Sequence, residues 1–287
     1  MEQKLLNAPH LAIAVTTKCN YRCFYCKEGG DSMSSNLDIM PFENLKEVLK
    51  VSYELGIHIF RITGGEPTVV EYFEELIEFI MNLGDDTRIG LNTNGFKLEK
   101  YINVIEKYKD RIYVLLSVDS ISNVLQDMHF PKYLSEKTRS ITKKMVDKGI
   151  KVRYNIVVTN FNYNEIKELI ITAIDELGVD IKLLDLKVRD EYLLDNKCTC
   201  EQNAKEFWTS SYLPLNEIIN FIEKNSKEFK GETYTTNYYG IPMKTYIRNG
   251  KTIQIKDTSK GTHYSNLCIK ECSYYNKCNE GLYSPFL

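Results

Sequence analysis

The strongest constraint on this chain is a repeated alternation of short apolar strands and amphipathic helices that runs from residue 11 to about residue 186. Leu11–Val15, Ile57–Ile62, Arg88–Leu91, Ile112–Leu116, Val152–Val157 and Ile181–Leu186 read as strands. Between them, Pro41–Leu55, Tyr72–Leu83, Leu98–Tyr108, Leu134–Lys148 and Tyr163–Leu177 read as helices. In the first of these, Phe42, Leu45, Val48, Leu49, Val51 and Leu55 fall at helical spacing. Strands separated by helices do not form hairpins, so the pattern predicts an α/β fold with a parallel sheet and crossover helices. Six such units are too few for a closed eight-stranded barrel. Each polar motif discussed below follows the C-terminal end of a strand, where parallel sheets place their chemistry.

The first strand runs into Lys18-Cys19-Asn20-Tyr21-Arg22-Cys23-Phe24-Tyr25-Cys26, a C-x3-C-x2-C loop. Soft thiolates select iron–sulfur clusters, zinc or Cu(I) over hard cations. A structural zinc site closes with four ligands, and no fourth cysteine follows before Cys198. Three thiolates on one tight loop can instead hold three irons of a [4Fe–4S] cluster and leave the fourth iron open. The odd count and the lack of a secretory signal argue against disulfides.

On these residues the chain resembles the radical S-adenosylmethionine (SAM) enzymes, whose signature is this loop with an aromatic residue, here Tyr25, before the last cysteine. Arg61-Ile62-Thr63-Gly64-Gly65-Glu66-Pro67 looks like the superfamily's GGEP motif. Asn92-Thr93-Asn94-Gly95, Leu116-Ser117-Val118-Asp119-Ser120 and Asn155-Ile156-Val157-Val158 follow in the family's order, and the branch they resemble is the GTP 3′,8-cyclases of molybdenum cofactor synthesis. The resemblance implies a partial (β/α)6 barrel over residues 1–195. Residues 196–287 would form a small α+β region, with a helix over Thr209–Asn225 and antiparallel strands between Thr233 and Asp257 that turn at Tyr239-Gly240 and Asn249-Gly250.

The resemblance also implies roles for single residues. Cys19, Cys23 and Cys26 would ligate the cluster, and Tyr25, Gly64, Gly65, Glu66, Ser117 and Asn155 would contact SAM. Other readings stay open: Glu66 as a strand-end structural carboxylate, Ser117 and Asn155 as satisfied core polar groups, and Asn94-Gly95 as a turn. Arg61, Asn92 and Arg153 match substrate-facing positions. Cys268, Cys272 and Cys278, spaced C-x3-C-x5-C, are expected to hold a second [4Fe–4S] cluster, with a zinc site or inert or paired thiols as the alternatives. Cys198 and Cys200 are candidates for its fourth ligand or for a hydrogen-atom donor, beside the plain reading of two exposed loop thiols. An electron donor such as flavodoxin or ferredoxin is implied as a partner. The histidines fit no catalytic arrangement, and His10 and His58, near strands, are expected to be structural.

The branch-specific residues transfer badly. Ala12 stands where the GTP cyclases have an arginine, Asn92 where they have a threonine, and Arg153 where they have a lysine. Their C-terminal arginines and Gly-Gly tail have no counterpart in a chain ending Leu282-Tyr283-Ser284-Pro285-Phe286-Leu287. The expected substrate is therefore not GTP but a small metabolite, sugar or nucleoside, or a small ribosomal peptide. The cluster loop begins at residue 19, which leaves no room for an N-terminal peptide-recognition domain and favours a small molecule or a peptide recruited by a partner. GTP cyclisation remains the alternative within the family. A redox sensor without turnover is the alternative outside it, and the intact GGEP segment argues against that. A net charge of −2 announces no nucleic-acid surface, and no apolar run approaches the ~20 residues of a membrane span, so a cytoplasmic enzyme is expected.

This reading predicts that the anaerobically reconstituted protein holds about eight irons, and that Cys19/Cys23/Cys26→Ala holds about four. Iron and sulfide analysis checks it. A fall from about four to none would leave Cys268, Cys272 and Cys278 without iron.

Overall fold

A computed structural model describes residues 10–21, 23, 39–123, 132–185, 210–213, 215–225, 227–234 and 243–256. The alternation appears as expected. Strand β1 (His10–Ala14) is followed by helix α1 (Phe42–Glu54), β2 (Ile59–Thr63), α2 (Phe73–Met81), β3 (Arg88–Thr93), α3 (Ile102–Lys107) and β4 (Ile112–Ser117). Then come α4 (Glu136–Asp147), β5 (Lys151–Val158), α5 (Tyr163–Ile171), β6 (Asp180–Asp185), α6 (Asn216–Lys224), β7 (Lys230–Tyr234), β8 (Met243–Arg248) and β9 (Lys251–Lys256). Strands β1 to β6 lie side by side in sequence order, all parallel. The described sheet keeps two edges, β1 and β7, and so forms a partial rather than a closed barrel.

One face of the sheet is covered by helices. Alternate strand residues Phe60, Ile62, Ile89, Leu91, Val114, Leu116, Tyr154, Ile156, Ile181 and Leu183 are buried there. The hydroxyl of Tyr154 on β5 meets that of Thr142 on α4 at 2.8 Å, which fixes this as the helix side. Burial pushes the Tyr154 phenol far above its ordinary pKa, so it stays neutral. Each such apolar side chain contributes about 1.5–3 kcal/mol by leaving water. The opposite strand positions, among them Arg61, Gly90, Asn92, Leu115, Ser117, Arg153, Asn155 and Lys182, therefore face away from the helices.

Several elements differ in detail from their sequence pattern. The helix expected over Leu98–Tyr108 opens as a 3-10 turn at Leu98–Tyr101. The helix expected over Thr209–Asn225 is interrupted: Ser210 and Ser211 are helical, Tyr212 and Leu213 are not, and α6 begins at Asn216. A proline at position 214 lacks an N–H and steers its predecessor out of the helical region. Asn249 and Gly250 do form a turn, with φ values of 48° and 74° that suit a two-residue hairpin. Tyr239-Gly240 lies outside the described residues.

The least predictable feature is how the C-terminal strands attach. Strand β9 pairs with β6 in parallel and with β8 antiparallel, so β7 to β9 continue the sheet of the first six strands. An ion-pair cluster fastens this extension. The helix after α5 widens into a π segment, Thr172–Glu176, which carries Asp175 to Arg248 Nη2 at 2.6 Å and to Asn249 Nδ2 at 2.7 Å. Arg248 Nη1 also donates to Glu228 at 2.8 Å. His58 sits before β2, away from the motif-bearing edge, paired through Nδ1 with Asp86 and stacked on Tyr53 at 4.8 Å. Among the described residues no helix is long and apolar enough to cross a membrane.

The Arg248 guanidinium holds the Asp175 carboxyl below the usual carboxylate range, with burial opposing it and Asn249 assisting. A depressed native pKa stabilises the fold above the unfolded value of about 3.9, and the contribution disappears as pH falls through the native value. Asp175→Asn is expected to lose about 1–2 kcal/mol at pH 7 and much less at pH 3. Thermal melts at the two pH values check it; an equal loss at both would remove the charge from the account.

Candidate active site

The three motifs at the C-terminal edge of β1, β2 and β3 are joined by backbone contacts. Val15 N–H donates to Thr63 O at 3.0 Å, Gly65 N–H to Thr16 O at 2.7 Å and Glu66 N–H to Lys18 O at 2.8 Å. The loop after β2 therefore extends the β1–β2 ladder onto the first residues of the cysteine loop. Gly64 has φ +145°, and a Cβ placed there would lie 2.4 Å from Thr16 O. Only glycine lets the two backbones approach this closely. The structure thus attributes the requirement at Gly64 to the cysteine loop itself, and the Gly65 N–H is already engaged by Thr16.

Glu66 is 1% exposed, and its carboxylate accepts four hydrogen bonds. Oε1 takes Thr68 N–H at 3.1 Å, Thr68 Oγ1–H at 2.6 Å and Thr93 Oγ1–H at 2.6 Å. Oε2 takes the Asn94 N–H at 2.6 Å. Glu66 caps the 3-10 turn Pro67–Val69 and locks the end of β3 to the end of β2. These bonds give Glu66 a structural part at the strand end; its contact with SAM is a proposal.

Cys19 lies within reach of this clasp through Asn94; Tyr25 and Cys26 lie outside the described residues. Cys23 is buried, while Cys19 is partly exposed. The Cys19 Sγ accepts the Tyr21 N–H at 3.4 Å and the Asn94 side-chain N–H at 3.7 Å. Two donors aimed at one sulfur favour its thiolate, the form that ligates metal, so the described part of the loop fits an iron–sulfur cluster. Burial and the neighbouring Cys23 thiol push the Tyr21 phenol up, with smaller effects from Tyr133, Glu66 and Cys19.

Ser117 ends β4 and lies beside Asn155 of β5, on the face turned away from the helices. Asn155 Oδ1 accepts Arg153 Nε–H at 3.2 Å. Arg153 is buried, donates to Gln254 Oε1 of β9 at 3.3 Å and stacks over Tyr113 at 5.5 Å. Lys182 of β6 lies between them in register, beside Asn155 on one side and Gln254 on the other. Arg61 lies beside Gly90, and Asn92 beside Leu115, on the same face. Asp180 of β6 lies in register beside Arg153 on this face and accepts hydrogen bonds from Tyr113 Oη at 3.0 Å and from Thr252 Oγ1 at 2.9 Å. Near the rim Glu165 holds Ser120, Ile121 and Ser122. Burial opposes its ionisation, but those hydrogen bonds prevail and keep its carboxyl below the usual range.

Comparison with known proteins decides what this arrangement is. Residues 13–173 match the Radical SAM superfamily. The chain belongs to that superfamily. It is 27% identical over 281 residues to a probable GTP 3′,8-cyclase of Methanococcus aeolicus, covering 96% of this chain and 84% of the relative. A GTP 3′,8-cyclase of Alkaliphilus metalliredigens is 30% identical over 188 residues, which cover 62% of this chain and 56% of the relative. Among solved structures, Streptococcus suis SuiB bound to S-adenosylmethionine superposes with TM-score 0.59 at 19% identity, over 76% of this chain and 49% of that one. The chain thus spans about half the length of several proteins it matches, and the structural likeness concerns the fold.

The protein is accordingly a radical SAM enzyme that works with a [4Fe–4S] cluster and SAM. When bound, that pair supplies a 5′-deoxyadenosyl radical, formed by one-electron cleavage of SAM, which removes a hydrogen atom from the substrate. The chain's own contribution is to fix the thiols and to carry polar groups on the open sheet face. Sequence reasoning missed Thr16, Thr93 and the side chain of Asn94 as parts of the site, since each looks like ordinary turn chemistry. Lys182 was detectable as the polar residue between Ile181 and Leu183 in a buried strand. Gln254 was not, because no sequence pattern pairs β9 with β6. Cys198, Cys200, Cys268, Cys272 and Cys278 lie outside the described residues.

Replacing Glu66 by Gln turns an acceptor into a donor against Asn94 N–H or the two threonines. A loss of about 1.5–3 kcal/mol is expected, together with lowered iron content. Gly64→Ala should lose the cluster more completely, through strain and collision with Thr16. Thermal melts and iron analysis check both; a Gly64→Ala protein with full iron content would refute the close-approach account.

Proposed function

We propose that this radical SAM enzyme removes a hydrogen atom from a small anionic substrate seated on the open face of the sheet. The observation that carries the proposal is the placement of Arg61, Arg153 and Lys182 on one sheet face with Asn92, Ser117, Asn155 and Gln254. Guanidinium and ammonium groups on one face offer a phosphate or carboxylate charge-assisted hydrogen bonds. The sequence argument against a phosphorylated substrate rested on lost cations, and Lys182 restores one. The relatives' name supports GTP as the first nucleotide to test. Ala12 and Asn92, both on this face, stand where that branch has an arginine and a threonine, so contacts on the β1 and β3 side differ.

The remaining sequence expectations enter as parts of this proposal. Cys268, Cys272 and Cys278 hold a second cluster, within the C-terminal region 196–287, whose strands β7 to β9 continue the sheet of β1 to β6. Cys198 or Cys200 completes it or donates a hydrogen atom. A flavodoxin- or ferredoxin-type protein delivers the electron. Their support is the spacing of the cysteines.

The test is anaerobic formation of 5′-deoxyadenosine from SAM with GTP, guanosine or no addition. GTP is expected to accelerate it and guanosine not. Arg153→Met and Lys182→Met should each raise KM for GTP about tenfold or more, while uncoupled SAM cleavage persists. Equal responses to GTP and guanosine, with no effect of either substitution, would reject an anionic substrate on this face. Stimulation by an acidic peptide alone would reassign the same cations to carboxylates.

A further inference from the structure

Asn94 ends the clasp described above, and its N–H, Oδ1 and Nδ2 each have a partner. Its N–H is taken by Glu66 Oε2 at 2.6 Å. Its Oδ1 accepts the Phe96 N–H at 2.9 Å, which fixes the orientation of the side-chain amide. The Nδ2 group, directed the other way, donates to Asn20 Oδ1 at 2.9 Å and to the Cys19 Sγ at 3.7 Å. This donor comes from β3, 75 residues away in sequence, and adds to the local Tyr21 N–H on the same sulfur.

We propose that Asn94 is a positioning residue that sets the reduction potential of the cluster held by Cys19. The proposal rests on the reading of Cys19 as a cluster ligand. When a cluster gains an electron, negative charge on its thiolates grows, and an N–H aimed at sulfur stabilises the reduced state. A second donor on Cys19 therefore moves the potential upward, towards what a cellular electron donor can reach. The Glu66 carboxylate serves this purpose at one remove, since it pins the backbone from which the Asn94 amide reaches. A segment that reads as a turn thus links the GGEP clasp to the cluster's electronic state.

The substitutions Asn94→Asp and Asn94→Ala separate tuning from scaffolding. Aspartate keeps the acceptor for Phe96 N–H but presents oxygen and negative charge to the sulfur; alanine removes both partners. The measurement is a reductive titration of the reconstituted full-length protein followed by electron paramagnetic resonance. The site's cluster is recognised as the one whose signal changes on adding SAM, and its midpoint is read without SAM. The midpoint should fall in the order wild type, Ala, Asp, with the Asp variant shifted by about tenfold in the reduction equilibrium, or about 59 mV for one electron. An unchanged midpoint in a fully loaded Asp variant overturns the proposal. Loss of the cluster from both variants overturns it too, by assigning Asn94 to loop scaffolding alone. Cys19→Ala is the separate control: a SAM-responsive signal that survives there would sink the ligand assignment instead.

Discussion

The site depends on one buried charge. Glu66 is sunk at the junction of β1, β2 and β3, where a bare carboxylate would be far too unstable to persist. Four donors hold it there: two from Thr68, one from Thr93 and one from Asn94. Those donors belong to two loops with no direct covalent continuity, so satisfying the charge forces the loops into register. Pro67 and Thr68 open a 3-10 turn, and Asn94 reaches Cys19. The carboxylate is a structural hub that joins the loop after β2 to the end of β3.

The cysteine loop is held by a complementary device. The loop carries three thiols within eight residues, and its start must be fixed in space for them to share one cluster. Here the loop after β2 supplies the anchor, through N–H groups of Gly65 and Glu66 on carbonyls of Thr16 and Lys18. Gly64 makes the approach possible by having no Cβ. The sheet edge thereby helps to set where Cys19 sits, and a bound cluster requires reproducible ligand geometry.

The substrate side follows from the sheet's alternation. Strand residues of one parity are buried under helices, so the other parity, with its arginines, lysine and amides, faces the open side of an unclosed sheet. Parallel β6–β9 pairing brings Gln254 against Arg153 and extends that polar face by three strands. The Asp175–Arg248 cluster secures the extension from outside, so the polar face and its fastening lie on different sides of the added strands.

Strand and helix positions were legible in the sequence because each obeys a local period: Ile181, Lys182 and Leu183 announce a strand with one polar face, and the spacing from Phe42 to Leu55 announces a helix. The cysteine spacing and Gly64-Gly65-Glu66-Pro67 were legible for the same reason, being short motifs whose meaning lies within a few residues. The 3-10 start at Leu98 and the π segment at Thr172 were not, because hydrogen-bond spans of three, four and five residues cannot be separated in one turn of sequence. The sequence by itself determined the fold class and the metal-binding chemistry, since both follow from local patterns of apolar residues and thiols. Only tertiary structure decided that Gly64 answers to Thr16, that Glu66 serves four backbone and hydroxyl donors, that Asn94 reaches Cys19, and that Gln254 joins Arg153. Apart from the two bonds from Thr68 to Glu66, each of these is a contact between residues far apart in the chain. Its existence depends on strand order and register, which no local period encodes.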